Sequence, residues 1–175
     1  GRPGVYGQLC ANHILHSADQ VISIGCRCSV WTVGYNFAPF AHVMVDTDPA
    51  ETDRYPNAEA YNASAEEFIA AQEPYPEDAT LPWLLECEHL REIYPLWTPP
   101  TEQNCYKGYI CPYHFVSVLS TYFADNHIIV TDTGTPYIVA HQLLRIERQQ
   151  RLIASGGLSE MGAGLPGAIG AQIAA

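Results

Sequence analysis

Two short motifs in this 175-residue chain carry residue types suited to chemistry, and both lie in its last third. Gly162-Ala163-Gly164-Leu165-Pro166-Gly167 spells G-x-G-x-x-G, the arrangement that delivers a pyrophosphate to a helix N-terminus. That arrangement needs its first glycine directly after a strand. Here residues 155–161 intervene and no acidic residue follows to hold a ribose, so the match reads as accidental. Ile129-Val130-Thr131-Asp132-Thr133-Gly134 has the outline of an aspartic-protease turn, chemistry that needs two aspartates sharing one proton. The chain has one copy, with helical sequence after it. The turn therefore reads as the end of a parallel strand, where open α/β sheets bind ligands. Residues 155–175 also hold six glycines, one methionine and a single charged residue, Glu160. Backbone so free of side chains, beside one bulky thioether, suits close approach to something flat or anionic.

Other chemistries are poorly supplied. The six cysteines (10, 26, 28, 87, 105 and 111) give one C-x-C and one C-x5-C spacing, neither of which is a zinc-ribbon or zinc-finger pattern. The seven histidines are dispersed and no pair stands at i, i+4. No metal ligands are assigned, and the cysteines read as free thiols of a reducing cytoplasm. A net charge of −11 with eight scattered basic residues excludes a nucleic-acid surface. No run of eighteen apolar residues exists to span a membrane.

The elements that must position these motifs fall into three parts. In residues 1–53, helical spacing over 9–18 is followed by two β-branched runs, 20–25 and 42–46, that read as buried parallel strands. The turn Thr47-Asp48-Pro49 follows the second. Residues 54–110 are rich in proline and tyrosine and read as a linker with two helices. Ser64 and Glu67 form a capping box for the first helix, and Pro82 opens the second. From 111 to 175 α/β order returns: a helix over 112–123, a strand over 127–131, a helix over 137–146 and a strand over 151–154. A last helix, over 167–175, opens with Pro166 and has no C-terminal cap. Together with a first residue that is not methionine, the missing cap suggests a piece of a longer protein. The fold class is α/β: fragments of two parallel-sheet, helix-flanked domains joined by the linker.

Five segments in order, GVYGQLCAN, ADQVISIGCR, FAPFAHVMVDTDPAE, VTDTGTP and ASGGLSEMGAGLPGAIGA, resemble thiamine diphosphate-dependent enzymes of the acetolactate synthase-like group. The resemblance implies that residues 1–53 are the C-terminal half of a Rossmann-like central domain. Residues 111–175 would then be the first part of the thiamine diphosphate (pyrophosphate)-binding domain. The cofactor carries the difficult chemistry, and the protein bends it into a V. In the family a bulky apolar residue props that bend, and it falls on Met161. By position the Ser159 carbonyl and Met161 amide would bond the pyrimidine, with Glu160 between them. Gly134, Thr135 and Pro136 would lie beside the diphosphate.

The sequence departs from the family in places. Most relatives have Gly and Thr or Ser where this chain has Ser159 and Glu160, and many synthases carry Gln-His where it has Thr135-Pro136. After Gly25-Cys26-Arg27 the acidic pair and Arg of the flavin region are replaced by Cys28-Ser29-Val30, which argues against FAD. Asp46 and Asp48 stand where a ribose could be held, or simply cap the turn before Pro49.

The resemblance further implies that the activating glutamate lies upstream of Gly1 and the Mg²⁺ ligands downstream of Ala175. The chain would hold half a cofactor site and be inactive alone. The implied parent is a cytoplasmic homodimer or tetramer, with its active site at a subunit interface. It would act on 2-keto acids by decarboxylation and carboligation. A 2-keto acid decarboxylase of the same family, or a non-catalytic nucleotide-binding α/β module using the Asp46 turn, stays open.

Overall fold

The computed structural model describes residues 1–39, 41–74, 76–96, 108–147 and 149–175. Tertiary contacts divide the chain into two compact units, residues 1–95 and 96–175. The fold class expected from sequence is the one observed: parallel strands flanked by helices.

In the first unit, helix α1 (Leu9–Ser17) leads into strand β1 (Gln20–Ile24), a short helix α2 (Val30–Val33) and strand β2 (Ala41–Asp46). Helix α3 (Pro49–Thr52), strand β3 (Glu59–Asn62), helix α4 (Ala65–Ala70) and helix α5 (Glu77–Ile93) follow. The sheet order is β1-β2-β3, parallel throughout, with Val21 opposite His42 and Val45 opposite Tyr61. β2 is its centre, and Val43, Met44 and Val45 are almost wholly buried. Alternation splits them between two clusters: Met44 packs with Cys28 and Val33, whereas Val43 and Val45 pack with Phe68 of α4. The capping box is present, Ser64 Oγ accepting from the Glu67 N–H at 3.2 Å while Glu67 Oε2 accepts from the Ser64 N–H at 2.9 Å. On the other side, α1 packs against α5, with the His13 and Tyr94 rings stacked 4.4 Å apart.

The structure corrects two readings here. Residues 59–62, placed by sequence in the linker, form β3 as an edge strand exposed at all four positions, so no apolar alternation announces it. Helix α5 begins at Glu77 and carries Pro82 in its interior, not at its first turn. Helix formers such as Ala79 and Leu81 extend the helix ahead of the proline, at the cost of one backbone hydrogen bond. Residues 97–107, in the expected linker and including Cys105, lie outside the described residues.

In the second unit, helix α6 (Pro112–Ser120) precedes strand β4 (Ile128–Val130), helix α7 (Thr135–Leu143), strand β5 (Arg151–Ile153) and helix α8 (Gly164–Ala174). β4 and β5 are parallel, with Ile129 opposite Leu152, so α7 is a crossover helix. Val139 and Ala140 of α7 and its C-cap Leu144 are buried. Helix α8 starts three residues before the expected 167, and α7 two residues before the expected 137, with Pro136 in its first turn. The early start of α8 has a cause in the site.

Candidate functional site at the carboxyl ends of β4 and β5

Two parallel neighbours end on the same side, so the segments leaving β4 and β5 meet there. The first, residues 131–134, enters α7; the second, residues 154–163, enters α8. Asp132 joins them. Its Oδ1 accepts from the Thr133 N–H at 2.7 Å and from the Gly162 N–H at 3.0 Å. Its Oδ2 accepts from the Gly162 N–H at 3.1 Å and the Gly164 N–H at 3.2 Å. The N–H groups of Thr133, Gly164 and Gly162, in that order of effect, hold this carboxyl below the usual carboxylate range. The bond to Gly164 satisfies one of the four orphan N–H groups at the start of α8, which is why the helix begins there.

Glycine is required at 164 by contact. A Cβ there would lie 3.0 Å from both the Cβ and the backbone nitrogen of Asp132. Gly134 is required by conformation, since it caps α7 at φ +76°, ψ −143°, a region closed to other residues. No side chain caps the α7 N-terminus. Pro136 donates nothing and Thr135 and Pro136 are exposed, so this turn presents the positive end of a nine-residue helix to the surroundings. Beside it, the hydroxyl of Thr131 is buried and bonds to nothing among the described residues.

The second segment displays the other expected residues. Ser159 stands at φ +55°, rare for a residue with a side chain, and its N–H donates to the Ser155 carbonyl at 2.9 Å. Glu160 is exposed, and Met161 is 88% exposed, with Leu158 and Leu165 beside it in sequence at 82% and 73%. Met161 is thus no part of this unit's core. Gly156 lies against Tyr137, whose hydroxyl would stand 3.1 Å from an added Cβ. The structure therefore brings the α7 turn and the loop holding Ser159, Glu160 and Met161 to one end of the parallel pair. Asp132 is what ties them together, and sequence reading gave it no role beyond a turn.

Competing readings lose ground on geometry. Eight residues, 154–161, separate β5 from Gly162, and Gly164 to Gly167 are already helical, so GAGLPG is no strand-to-helix phosphate turn. The IVTDTG turn ends a parallel strand and opens a helix, unlike a protease lobe. In the first unit Asp46 Oδ1 accepts from the Asp48 N–H, and Asp48 Oδ1 from the Ala50 N–H, each at 2.9 Å. Both carboxylates serve the turn before α3. No cluster of three or more metal-ligating side chains occurs among the described residues, and no helix there is long and apolar enough to cross a membrane.

The residues present fit a flat, anionic cofactor: an uncapped helix start, a buried unpaired hydroxyl, glycine-lined backbone and an exposed thioether. Comparison with known proteins points the same way. Residues 132–175 match the family model for the C-terminal TPP-binding domain of thiamine pyrophosphate enzymes. Over 99% of its length the chain is 30% identical to the acetolactate synthase isozyme 1 large subunit of Escherichia coli K12. It is 32% identical to the acetolactate synthase large subunit of Pyropia yezoensis and 29% identical to the acetolactate synthase of Mycobacterium bovis, again over 99%. It spans only 29% to 31% of the length of these three relatives. On the matched cofactor-binding segment, and over both units, the chain is similar to thiamine diphosphate-dependent enzymes of the acetolactate synthase-like branch.

Proposed function

We propose that the protein carrying this chain is a thiamine diphosphate- and Mg²⁺-dependent enzyme that decarboxylates a 2-keto acid and joins the remaining carbon unit to a second carbonyl. The observation that carries this reading is the Asp132 clamp, which sets the Met161 loop and the α7 turn at one end of the β4–β5 pair. When bound, the cofactor supplies a stabilised carbanion at its thiazolium ring. The chain's own residues bind and orient. The exposed Met161 side chain would pack on the cofactor, and the Ser159 carbonyl and Met161 N–H would hold its aminopyrimidine ring. Gly134, Thr135 and Pro136, at the positive end of α7, would receive the diphosphate.

Both Asp132 oxygens are taken by backbone N–H groups, so Asp132 holds the loop and leaves the metal to other ligands. In this reading the first unit, with β3, α4 and α5 built into it, closes a central domain, and residues 111–175 begin the cofactor domain. The complete site forms between subunits of a cytoplasmic homodimer or tetramer, and FAD has no assigned residues here. The test is an assay of the full-length protein with pyruvate and larger 2-keto acids. Thiamine diphosphate- and Mg²⁺-dependent release of CO₂ with a carbon–carbon-joined product supports the proposal. CO₂ with an aldehyde as the sole product makes it a decarboxylase, and no keto acid consumption refutes both.

A further inference from the structure

A second constellation of reactive groups lies in the first unit, between β1 and α2. Cys26 and Cys28 flank Arg27 in the segment between β1 and α2, where Gly25 stands at φ +58° and Cys28 at φ +45°. Cys28 is 5% exposed and packed on Met44 and Val33, whereas Cys26 is half-buried at the rim of the same cluster. The Cys28 thiol donates to Ser23 Oγ at 3.1 Å, and Ser23 Oγ lies 2.9 Å from His42 Nε2. With its oxygen accepting from Cys28, the Ser23 hydroxyl can donate its own proton to His42 Nε2 in the tautomer that leaves this nitrogen unprotonated. Burial lowers the proton affinity of His42 and keeps it neutral. Tyr55 Oη donates to the Cys28 carbonyl at 2.8 Å and reaches the Arg27 carbonyl at 3.3 Å, which fixes the segment from the other side.

We propose that Cys26 and Cys28 form a dithiol site for low-molecular-weight disulfides such as glutathione disulfide, with half-exposed Cys26 attacking and buried Cys28 resolving. Residues two apart in a chain have Cα atoms at most about 7 Å apart, a separation that overlaps the disulfide range of about 4.4–6.8 Å. Cys26 packs against the cluster that holds Cys28, and when Cys26 ionises the single Cys28 proton turns from Ser23 to it, the largest cause holding Cys26 below the ordinary thiol range, against burial. The same bond raises Cys28, so the pair gives up one proton easily and the second with difficulty.

The steps balance. The Cys26 thiolate forms a bond to one sulfur of the external disulfide, whose own S–S bond breaks. The first thiolate leaves and takes up the proton that Cys26 had lost. Cys26 is now uncharged, which removes the largest cause of the raised Cys28 value. Cys28 passes its proton through Ser23 to His42 Nε2 and attacks the Cys26 sulfur. The Cys26–Cys28 bond forms as the mixed disulfide breaks, and the second thiolate leaves with the proton from His42. Two protein thiols are oxidised by two electrons, and one external disulfide is reduced to two thiols.

Arg27 between the two thiols makes the product directly readable. The full chain is equilibrated with oxidised and reduced glutathione, blocked with N-ethylmaleimide, and cut without reduction by trypsin and an Asp-specific protease. Cleavage after Arg27 and before Asp19 and Asp46 leaves residues 19–27 and 28–45 as separate peptides unless a disulfide joins them. The expected result is that linked pair, parting on reduction, in a chain shown folded by circular dichroism. Cys28→Ser is expected to stop at a glutathione adduct on Cys26, but the wild-type digest decides the matter without it. A folded chain whose peptides 19–27 and 28–45 stay unlinked, whether Cys26 is free or carries glutathione, overturns the proposal.

Discussion

The carboxylate of Asp132 receives the backbone N–H of Gly164 at 3.2 Å across 32 residues of sequence, and the two residues are so close that a Cβ on Gly164 would lie 3.0 Å from that of Asp132. The end of β4 and the start of α8 are thereby one structure. Gly164→Ala puts a methyl group against backbone that must shift, at about 1–3 kcal/mol. Urea denaturation followed by circular dichroism is expected to show a lower midpoint with an unchanged slope. Gly157→Ala, where an added Cβ meets nothing within 4 Å, serves as the control and should cost far less.

Asp132→Asn keeps the shape and replaces one accepting oxygen by a donor that faces N–H groups. Hydrogen exchange at Gly162 and Gly164 is expected to quicken several-fold, with exchange in α6 unchanged. The same clamp predicts a pH response. Because the folded-state carboxyl lies below its unfolded value, its contribution is complete above the unfolded carboxylate value and is lost as pH falls through the folded one. Wild-type protection at Gly162 should therefore fall in acid and that of Asp132→Asn should not. Equal acid sensitivity in both contradicts the clamp.

Much of this framework was legible in the sequence, for a physical reason. The runs at 20–25 and 42–46 are β-branched, and the Ser64–Glu67 box is a local signal, so β1, β2 and α4 could be read from neighbours alone, although only β2 is the buried strand expected of both and β1 buries Ser23 alone. What escaped depends on distant partners. Strand β3 has no burial pattern and exists because β2 offers it hydrogen bonds. The start of α8 at Gly164 depends on a carboxylate in another segment. Ser159, Glu160 and Met161 were singled out by resemblance, whereas the tie between their loop and Asp132 was visible only in three dimensions.

The segment between β1 and α2 predicts a stability effect. Tyr55→Phe removes the hydroxyl that donates to the Cys28 carbonyl, and is expected to cost about 0.5–1.5 kcal/mol. Thermal denaturation checks it. No change in midpoint contradicts the anchoring role.

Cys26 should also stand apart from the other thiols in its pH profile. Lowered from 9.0 to about 6, it gains roughly a hundredfold in thiolate at neutral pH and loses roughly twentyfold in intrinsic nucleophilicity, a net gain of about fivefold. The charged and titratable groups around it are Cys28, Arg27, His42 on β2, and Glu51, Arg54 and Tyr55 from α3 and the turn after it. Iodoacetamide labelling of Cys26 is expected to plateau by pH 7.5. Cys87, raised chiefly by burial, should still be accelerating there. A Cys26 rate that climbs through the ordinary thiol range contradicts this reading.

The central claim is that the α7 turn and the Met161 loop hold thiamine diphosphate. Met161 is 88% exposed, so Met161→Ala should leave the melting temperature of the full-length protein nearly unchanged, within about 0.5 kcal/mol. Covering that side chain with a cofactor ring is worth about 1.5–3 kcal/mol, or at least about tenfold in affinity. Isothermal titration of the full-length protein with thiamine diphosphate, with and without Mg²⁺, measures this most directly. The account predicts Mg²⁺-dependent binding that weakens at least about tenfold in Met161→Ala at constant thermal stability. Absence of binding, or equal affinity in both proteins, would contradict it.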